Sequence, residues 1–193
     1  MRTKLAATLL LLALKTAGAQ TPPRDESSSF QAVVKTELGS FRFDLASDKA
    51  PKHVKEFIDR ARAGFYDGSA FHRVVPNGLI QGGDPLLKDP KTPRNLWGTG
   101  GLNLLDSEPS DLKHERGVVS TVRTYKDGSD GSQFFVCLSA LPGLDGGFSA
   151  FGQVTEGMDV VEKISMVPAA ENTVVEKPVR IITITIEKKI DPR

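Results

Sequence analysis

Three short segments pair a polar side chain with an apolar one at a spacing of two residues, which places both on one face of a β-strand. The pairs are Phe71 with Arg73, Leu79 with Gln81, and Gln133 with Phe135. A face that carries a guanidinium and amides beside apolar groups offers fixed hydrogen-bond donors next to a hydrophobic patch, which suits an extended peptide. Three unrelated half-exposed strands would give the same pattern, and the segments alone leave both interpretations open.

Other catalytic arrangements have less support in the sequence. The three histidines are dispersed along the chain, at His53, His72 and His114. None has the spacing of a metal-binding pair, so we expect no metal or other cofactor. Ser132, His72 and Asp84 could be combined into a hydrolytic triad, but the Gly-x-Ser-x-Gly motif is absent around Ser132. We expect His72 to make a structural hydrogen bond beside Arg73.

Composition bounds the class of protein. The 193 residues are enough for one ordinary domain, and 39% hydrophobic with 25% charged residues is the balance of a globular chain. A single cysteine, Cys137, excludes an intrachain disulfide, and its apolar neighbours favour a packed thiol. With 25 Lys and Arg against 24 Asp and Glu, a nucleic-acid binder that works through bulk positive charge is excluded.

The N-terminal segment has the pattern of a signal peptide. A cationic start is followed by the apolar run Leu5–Leu14 and by the small residues of Ala17–Ala19. The run is shorter than the roughly 20 residues that cross a bilayer. We therefore expect a cleaved signal over 1–19 and a flexible lead-in over 20–29. A buried N-terminal helix is the alternative. The mature protein is then periplasmic or secreted, with no membrane contact.

From Phe30 onward the pattern is rich in strands. Alternating segments 31–36 and 41–45 flank a Gly-containing turn and predict a hairpin. Toward the C-terminus, Ile182, Ile184 and Ile186 alternate with threonines, which predicts a half-buried strand over Val179–Ile186.

Two helices are expected between the strands. The first is predicted over Pro51–Ala63, with Asp48 as its cap and an apolar stripe of Val54, Phe57, Ile58 and Ala61. The second is predicted over Glu156–Lys163, with Thr155 as its cap and Met158, Val161 and Ile164 facing the core. Many short strands with two helices indicate a mainly β fold, a closed antiparallel barrel capped by two helices, in one domain over 30–188 with a tail over 189–193.

The segment Phe71–Asp84 (FHRVVPNGLIQGGD) resembles the signature of the cyclophilins, the peptidyl-prolyl cis-trans isomerases. Further matches follow in the family's order: Gly98–Gly101, Gly131–Cys137, Leu144–Gly146 and Phe151–Val154. Several motifs in one order are far more specific than any one of them. The resemblance spans Phe30–Lys188 and implies an eight-stranded antiparallel barrel with a helix closing each end.

The resemblance also implies roles for matched residues. Arg73 matches the catalytic arginine, and Gln81 and Gln133 match glutamines that contact the peptide. Phe135 and Leu144 match the floor and the wall of the proline pocket. The other substrate-binding positions are Phe71, Leu79, Val122, Arg123 and Phe148. Leu79 stands where the family usually has Met, and Arg123 matches a position that contacts substrate through its backbone.

Three positions depart from the family's pattern. Gly78 stands where a pocket phenylalanine is usual, Gly143 where a Trp or Phe is common, and Phe148 where His is common. The departures bear on catalytic rate, on substrate preference and on cyclosporin binding. Loss of the pocket phenylalanine removes an apolar contact of about 1.5–3 kcal/mol unless another side chain fills the gap. Phe148 is the side chain that could do so.

The sequence therefore predicts a monomeric prolyl isomerase that acts on proline-containing polypeptides and assists protein folding outside the cytoplasm. A proline-peptide binding or chaperone module on the same fold, with weak or no catalysis, is the main alternative. Retained Arg73, Gln81 and Phe135 favour the enzyme, whereas Gly78 and Gly143 favour the binding module. An exported scaffold fragment of a larger assembly is a third possibility.

Overall fold

The computed structural model describes residues 29–189 except 102–103, 109, 124–129 and 171–172. The expected signal peptide and nearly all of the expected lead-in therefore lie outside the described residues, as does the tail beyond residue 189. No helix in the described part of the chain is long and apolar enough to cross a membrane.

Eight strands and two α-helices make up the described fold. In chain order they are β1 (Phe30–Thr36), β2 (Gly39–Leu45), α1 (Pro51–Arg62), β3 (Ala70–Val75), β4 (Leu79–Gly82), β5 (Val118–Arg123), β6 (Asp130–Cys137), β7 (Ala150–Glu156), α2 (Met158–Ser165) and β8 (Val174–Lys188). The strands close a barrel in the order β1-β2-β7-β5-β6-β4-β3-β8. All of these pairs are antiparallel. The predicted barrel with two capping helices is confirmed.

The barrel is filled by aromatic and β-branched side chains from every strand. Phe57 of α1 packs among these aromatic side chains, with its ring 5.2 Å from those of Tyr66 and Phe151 and 5.9 Å, edge-on, from that of Phe134. Such offset and edge-to-face pairs stabilise a core beyond the area that they bury. The predicted stripe of α1 is buried in this core. Helix α1 thereby packs against β7 and β8, and α2 packs against β2, β3 and β4.

The sequence predicts that Asp48 caps helix α1. In the structure the cap comes from a distant loop. Ala50 occupies the cap position and its side chain makes no capping bond. Instead, Glu108 Oε2 accepts hydrogen bonds from the backbone N–H groups of Lys52 (3.0 Å) and His53 (3.3 Å). Glu108 Oε2 also lies 3.0 Å from His53 Nδ1. A carboxylate that contacts the first free N–H groups performs the work of a local cap and suits the positive end of the helix dipole.

Helix α2 also begins differently from the prediction. Strand β7 continues through Glu156, so Thr155 lies in a strand and cannot cap. The helix starts at Met158 after Gly157, whose backbone has φ = 79°. This left-handed conformation favours glycine, and a Cβ there would lie 2.6 Å from the Ser40 carbonyl oxygen. The predicted inward positions hold: Val161 and Ile164 are buried, and Met158 packs against the core.

Strand β8 starts earlier than predicted, and its alternation is broken. Its register against β1 shifts between Lys35 and Thr36, which face Thr183 and Ile181, so that Ile182 is the extra residue of a bulge. Ile181 and Ile184 are therefore both buried, whereas Ile182 is 49% exposed. The prediction that Ile182 shares the inward face of Ile184 is wrong, because Ile182 is itself the extra residue of the bulge.

The cap of α1 gives a stability test. Glu108→Ala removes the acceptor of two helix N–H groups, so we expect the free energy of unfolding to fall by about 0.5–2 kcal/mol. Urea denaturation followed by circular dichroism measures this change. Glu108→Gln is the matched control, because it keeps an acceptor oxygen and should lose clearly less. Equal stability of the wild type and the alanine variant would contradict the assignment of Glu108 as the cap.

Candidate active site

A chain of side-chain hydrogen bonds crosses three neighbouring strands. Arg73 Nη1 on β3 donates to Gln81 Oε1 on β4 over 3.2 Å, and Gln81 Nε2 donates to Gln133 Oε1 on β6 over 2.9 Å. Gln133 Nε2 then donates to the carbonyl oxygens of Gly98 (2.9 Å) and Gly100 (2.8 Å). Gln81 and Gln133 are buried, while Arg73 is partly exposed. The three polar residues singled out in the sequence are thus brought together as one relay, which fixes the guanidinium.

The register of β3 explains why Arg73 faces outward. Phe71 pairs with Gly82 and Arg73 pairs with Gln81, so β3 carries an extra residue between them. Phe71 is fully buried in the barrel core, with its ring 6.2 Å from that of Phe41 and 5.8 Å from that of Phe134. The prediction that Phe71 shares the face of Arg73 and binds substrate is therefore wrong, because the bulge changes the side to which the strand points.

A second contact holds Arg73 from the far side of the sequence. Arg73 Nε donates to Thr173 Oγ1 over 2.9 Å. Sequence reasoning missed Thr173, because the two residues are 100 positions apart and Thr173 belongs to none of the recognised motifs.

An apolar cluster lies beside the relay, on the outer face of the sheet. Its buried members are Val118, Phe135, Cys137 and Ala150, and its partly buried members are Leu79, Leu112, Val122, Leu141, Leu144 and Phe148. We call this set the pocket cluster. Strand β6 joins it to the relay, because Gln133 and Phe135 alternate with Phe134 and Val136, which face the barrel core. Five of the predicted substrate-binding residues belong to the pocket cluster.

Phe135 is the base of the pocket cluster and is held by aromatic contacts. The Phe148 ring meets it edge-on, with centroids 5.9 Å apart at 82°. The His114 ring stacks on it at 5.9 Å and 20°. Phe148 therefore provides one aromatic wall. Cys137 is fully buried in the same cluster, and burial raises the pKa of its thiol to about 12, so it is a packed thiol.

His114 is fixed behind Phe135 by polar contacts on both ring nitrogens. Its Nδ1 lies 3.1 Å from Asp145 Oδ1, and its Nε2 lies 3.1 Å from Ser120 Oγ. The backbone N–H of His114 donates to Asp145 Oδ1 over 2.8 Å, and this bond is the main reason that the pKa of Asp145 is lowered. Ser120 is completely buried, so this Ser-His-Asp array cannot reach a substrate and serves to position the aromatic base.

The other polar groups considered in the sequence have structural roles. The Asp84 carboxylate accepts from the N–H groups of Leu86 (2.8 Å) and Gly98 (2.7 Å), and Ser132 Oγ donates to the Gly83 carbonyl. His72 is buried, and neither ring nitrogen has a hydrogen-bond partner of ordinary geometry among the described residues, so its predicted structural bond is not found. Burial lowers the pKa of His72, and the nearby Asp84 opposes this shift only in part.

The described residues contain no cluster of three His, Cys, Asp or Glu that could hold a metal ion.

Two positions that depart from the family's pattern adjoin members of the pocket cluster in the chain, Gly78 beside Leu79 and Gly143 beside Leu144, and we call these two positions its rim. A Cβ at Gly143 would meet nothing within 4 Å. A Cβ at the buried Gly78 would lie 2.9 Å from Val75 Cγ1, so Val75 packs closely over this position. Arg123, another predicted binding residue, donates from Nη1 to the Gly147 carbonyl over 2.8 Å and joins β5 to the loop that carries Phe148. Space for a side chain is therefore tight at Gly78 and free at the exposed Gly143.

Comparison with known proteins agrees with this geometry. Residues 31–186 match the family described as Cyclophilin type peptidyl-prolyl cis-trans isomerase/CLD. A probable peptidyl-prolyl cis-trans isomerase of Brucella suis is 37% identical over 180 residues, which cover 91% of this chain and 88% of that protein. A peptidyl-prolyl cis-trans isomerase-like protein of Rhizopus delemar is 34% identical over 142 residues, or 74% of this chain and 84% of that protein.

A solved structure is similar over most of the fold. The cyclophilin type peptidyl-prolyl cis-trans isomerase of Cryptosporidium parvum, crystallised in the presence of the dipeptide Ala-Pro, superposes with a TM-score of 0.71 at 28% identity. The match covers 82% of this chain and 99% of that one. With the family match over 31–186, the shared barrel and these relatives, the chain belongs to the cyclophilin-type peptidyl-prolyl cis-trans isomerase family.

Proposed function

We propose that this protein accelerates rotation about X-Pro bonds in exported polypeptides and thereby assists their folding, with Arg73 as the catalytic group. The observation that carries the proposal is the guanidinium of Arg73, held by Gln81 and Thr173 beside an apolar cluster based on Phe135. The Cryptosporidium relative crystallised with Ala-Pro supports a proline-containing substrate.

The reaction requires neither a nucleophile nor a metal. An X-Pro bond rotates over a barrier of about 18–20 kcal/mol, because amide resonance is lost on the way. In the twisted state the prolyl nitrogen becomes pyramidal and regains a lone pair. A guanidinium that donates a hydrogen bond to this lone pair stabilises the twisted state more than either planar state. Arginine suits this role because it remains charged at any working pH.

The hydrogen bond from Arg73 cannot by itself lower the rotation barrier enough. One hydrogen bond from a charged donor contributes about 1.5–3 kcal/mol. A rate gain of about 10⁴ requires roughly 5.4 kcal/mol. The remainder must come from holding the substrate in a reactive geometry. In our proposal the proline ring rests on Phe135, and Leu79, Leu144, Val122 and Phe148 line the pocket. Gln81 and the backbone near Arg123 anchor the chain. Gln133 is completely buried and both ends of its amide are engaged in the relay, so it acts through Gln81 and does not contact the peptide, contrary to the role that the resemblance implies.

Preorganisation explains how one arginine can be effective. The Gln81 oxygen accepts from Arg73 while its Nε2 donates to Gln133, whose own amide donates to two carbonyls. The amides therefore have one orientation that satisfies every group, and the guanidinium is already in place when substrate binds. Little reorganisation is needed during the reaction, which is the condition for strong electrostatic stabilisation.

Removal of the guanidinium tests catalysis directly. We expect Arg73→Ala to lower kcat/KM for X-Pro tetrapeptides by about 10- to 150-fold, the equivalent of one lost charged hydrogen bond. A protease-coupled isomerisation assay measures this, and circular dichroism checks the fold. Arg73→Lys is the matched control for charge: it keeps the positive charge without the planar fork and should also be impaired. Near-normal turnover by a folded alanine variant would disprove the assignment.

The binding-module alternative is favoured by one specific observation, the open space at Gly143. Without a large side chain there, a bound proline has less apolar contact than in relatives with an aromatic residue. The protein would then bind proline peptides and accelerate their rotation weakly. Retained peptide affinity with no turnover by the wild type would select this alternative.

Gly143→Trp tests how much the open rim matters. Because a Cβ there meets nothing within 4 Å, we expect the variant to fold normally and to bind an Ala-Pro peptide about 5- to 30-fold more tightly, through added apolar contact. Titration followed by NMR chemical shifts measures the dissociation constants. Gly143→Ser is the control, because it adds a Cβ without an aromatic ring. Identical affinities for the two variants would show that this rim does not contact the peptide.

Export rests on the sequence of residues 1–19 and is tested separately. On expression of the full chain in a bacterium, we expect a periplasmic product whose N-terminal residue is Gln20. Ala19→Asp removes the small residue that signal peptidase requires and should leave the signal attached. N-terminal sequencing and intact mass identify the products. A wild-type chain that stays in the cytoplasm and keeps residues 1–19 would refute export without touching the catalytic proposal.

A further inference from the structure

We propose that Thr173 is a positioning residue for Arg73, whose hydroxyl fixes the guanidinium in its working orientation. The inference rests on the proposed function of Arg73. Thr173 Oγ1 accepts from Arg73 Nε over 2.9 Å, and Gln81 Oε1 accepts from Nη1 of the same group over 3.2 Å. Two acceptors on different nitrogens of one planar group oppose its rotation about the side-chain bonds. They use two of its five N–H donors and leave others for substrate.

The backbone of Thr173 is fixed relative to Arg73 as well. The Thr173 carbonyl accepts from the N–H of Val74, the neighbour of Arg73, over 2.8 Å. Arg73 also pairs with Val174 in the sheet. The hydroxyl is therefore presented from a backbone that is registered against the strand bearing the guanidinium, and this backbone cannot move away from Arg73 without breaking these pairings.

Thr173 adopts an unusual backbone conformation at this position. Its φ is 67°, in the left-handed region that β-branched residues rarely adopt. Such a conformation persists only where the surroundings determine it strongly, and it is found often at functional sites. Glycine or asparagine would be the usual choice for a turn with this backbone. The hydrogen bond between its hydroxyl and the Arg73 guanidinium accounts for a threonine at this position.

A second arginine anchors the segment that follows. Arg94 Nη2 donates to the carbonyl oxygens of Val174 (2.8 Å) and Val175 (2.9 Å). The Arg94 guanidinium lies 5.9 Å from the centre of the Trp97 ring. The start of β8 is thus tied to the 94–97 turn. Thr173 is held between this anchor and the Val74 bond, so its hydroxyl is a rigid support for Arg73.

The hydroxyl can be removed without removing these backbone bonds. Thr173→Val keeps the branched shape, and we expect kcat for X-Pro tetrapeptides to fall about five- to tenfold with KM unchanged, because the pocket cluster is intact while the guanidinium is less fixed. Thr173→Ser restores a hydroxyl and should remain within about twofold of the wild type. Thr185→Val makes the same replacement at an exposed position of β8 and should have no effect.

A spectroscopic signal separates positioning from general stability. The Nε–Hε resonance of Arg73, assigned with the Arg73→Lys variant, should be shifted and slow to exchange in the wild type and in Thr173→Ser. In Thr173→Val it should move toward the position of a free arginine and exchange quickly. Thr173→Gly relieves the left-handed strain and also lacks the hydroxyl. It should therefore lose the shifted resonance and show the same fall in kcat, even if the valine variant does not fold.

The outcomes are distinct. Wild-type kcat in the folded valine or glycine variant, or an equal loss in the serine variant, would overturn the positioning role. An unchanged Nε–Hε resonance in Thr173→Val or Thr173→Gly would overturn it as well. A wild type that does not accelerate isomerisation would refute the proposed function instead, and the resonance would still decide whether Thr173 fixes Arg73.

Discussion

The orientation of one guanidinium depends on a relay of amides that ends in a glycine-rich loop. Gln133 is oriented by the carbonyls of Gly98 and Gly100, and it orients Gln81, which accepts from Arg73. The loop is itself fixed by the buried Asp84, which accepts from the Gly98 N–H over 2.7 Å. A Cβ at Gly100 would lie 2.2 Å from Asp84 Oδ1, so the close approach requires glycine. A buried carboxylate thus positions the guanidinium of Arg73, which it does not contact through a hydrogen bond.

Strand β6 contributes side chains both to the barrel core and to the candidate site. Along β6, Phe134 and Val136 pack inside the barrel, while Gln133 and Phe135 face the relay and the pocket cluster. Because the barrel is closed, every strand is paired on both sides, and the backbone that carries the outer face is fixed along both edges. Rigidity is what the proposed chemistry needs, since electrostatic stabilisation works best when donors do not move during the reaction.

Sequence reasoning succeeded where local alternation and ordered motifs decide the structure. The barrel, the apolar stripe of α1 and the convergence of Arg73, Gln81 and Gln133 were predictable from those signals. It failed at Phe71 and Ile182, because a bulge adds a residue that period-two counting cannot detect. It also failed at the start of α1, where Glu108 caps from 56 residues beyond Lys52. The contact between Thr173 and Arg73 joins residues that are 100 positions apart, so no local sequence pattern predicts it.

The walls of the pocket cluster suggest how this chain compensates for its glycines. Phe148 meets Phe135 edge-on, and its ring centre lies 6.3 Å from that of His114, so an aromatic wall stands on the side of that loop. Val75 packs closely at Gly78, where an added Cβ would lie 2.9 Å from its Cγ1. Gly143 is exposed, and a Cβ there would meet nothing within 4 Å. Under the proposed function, apolar contact with a proline ring comes from the Phe135 base and the Phe148 wall, and Gly143 adds none.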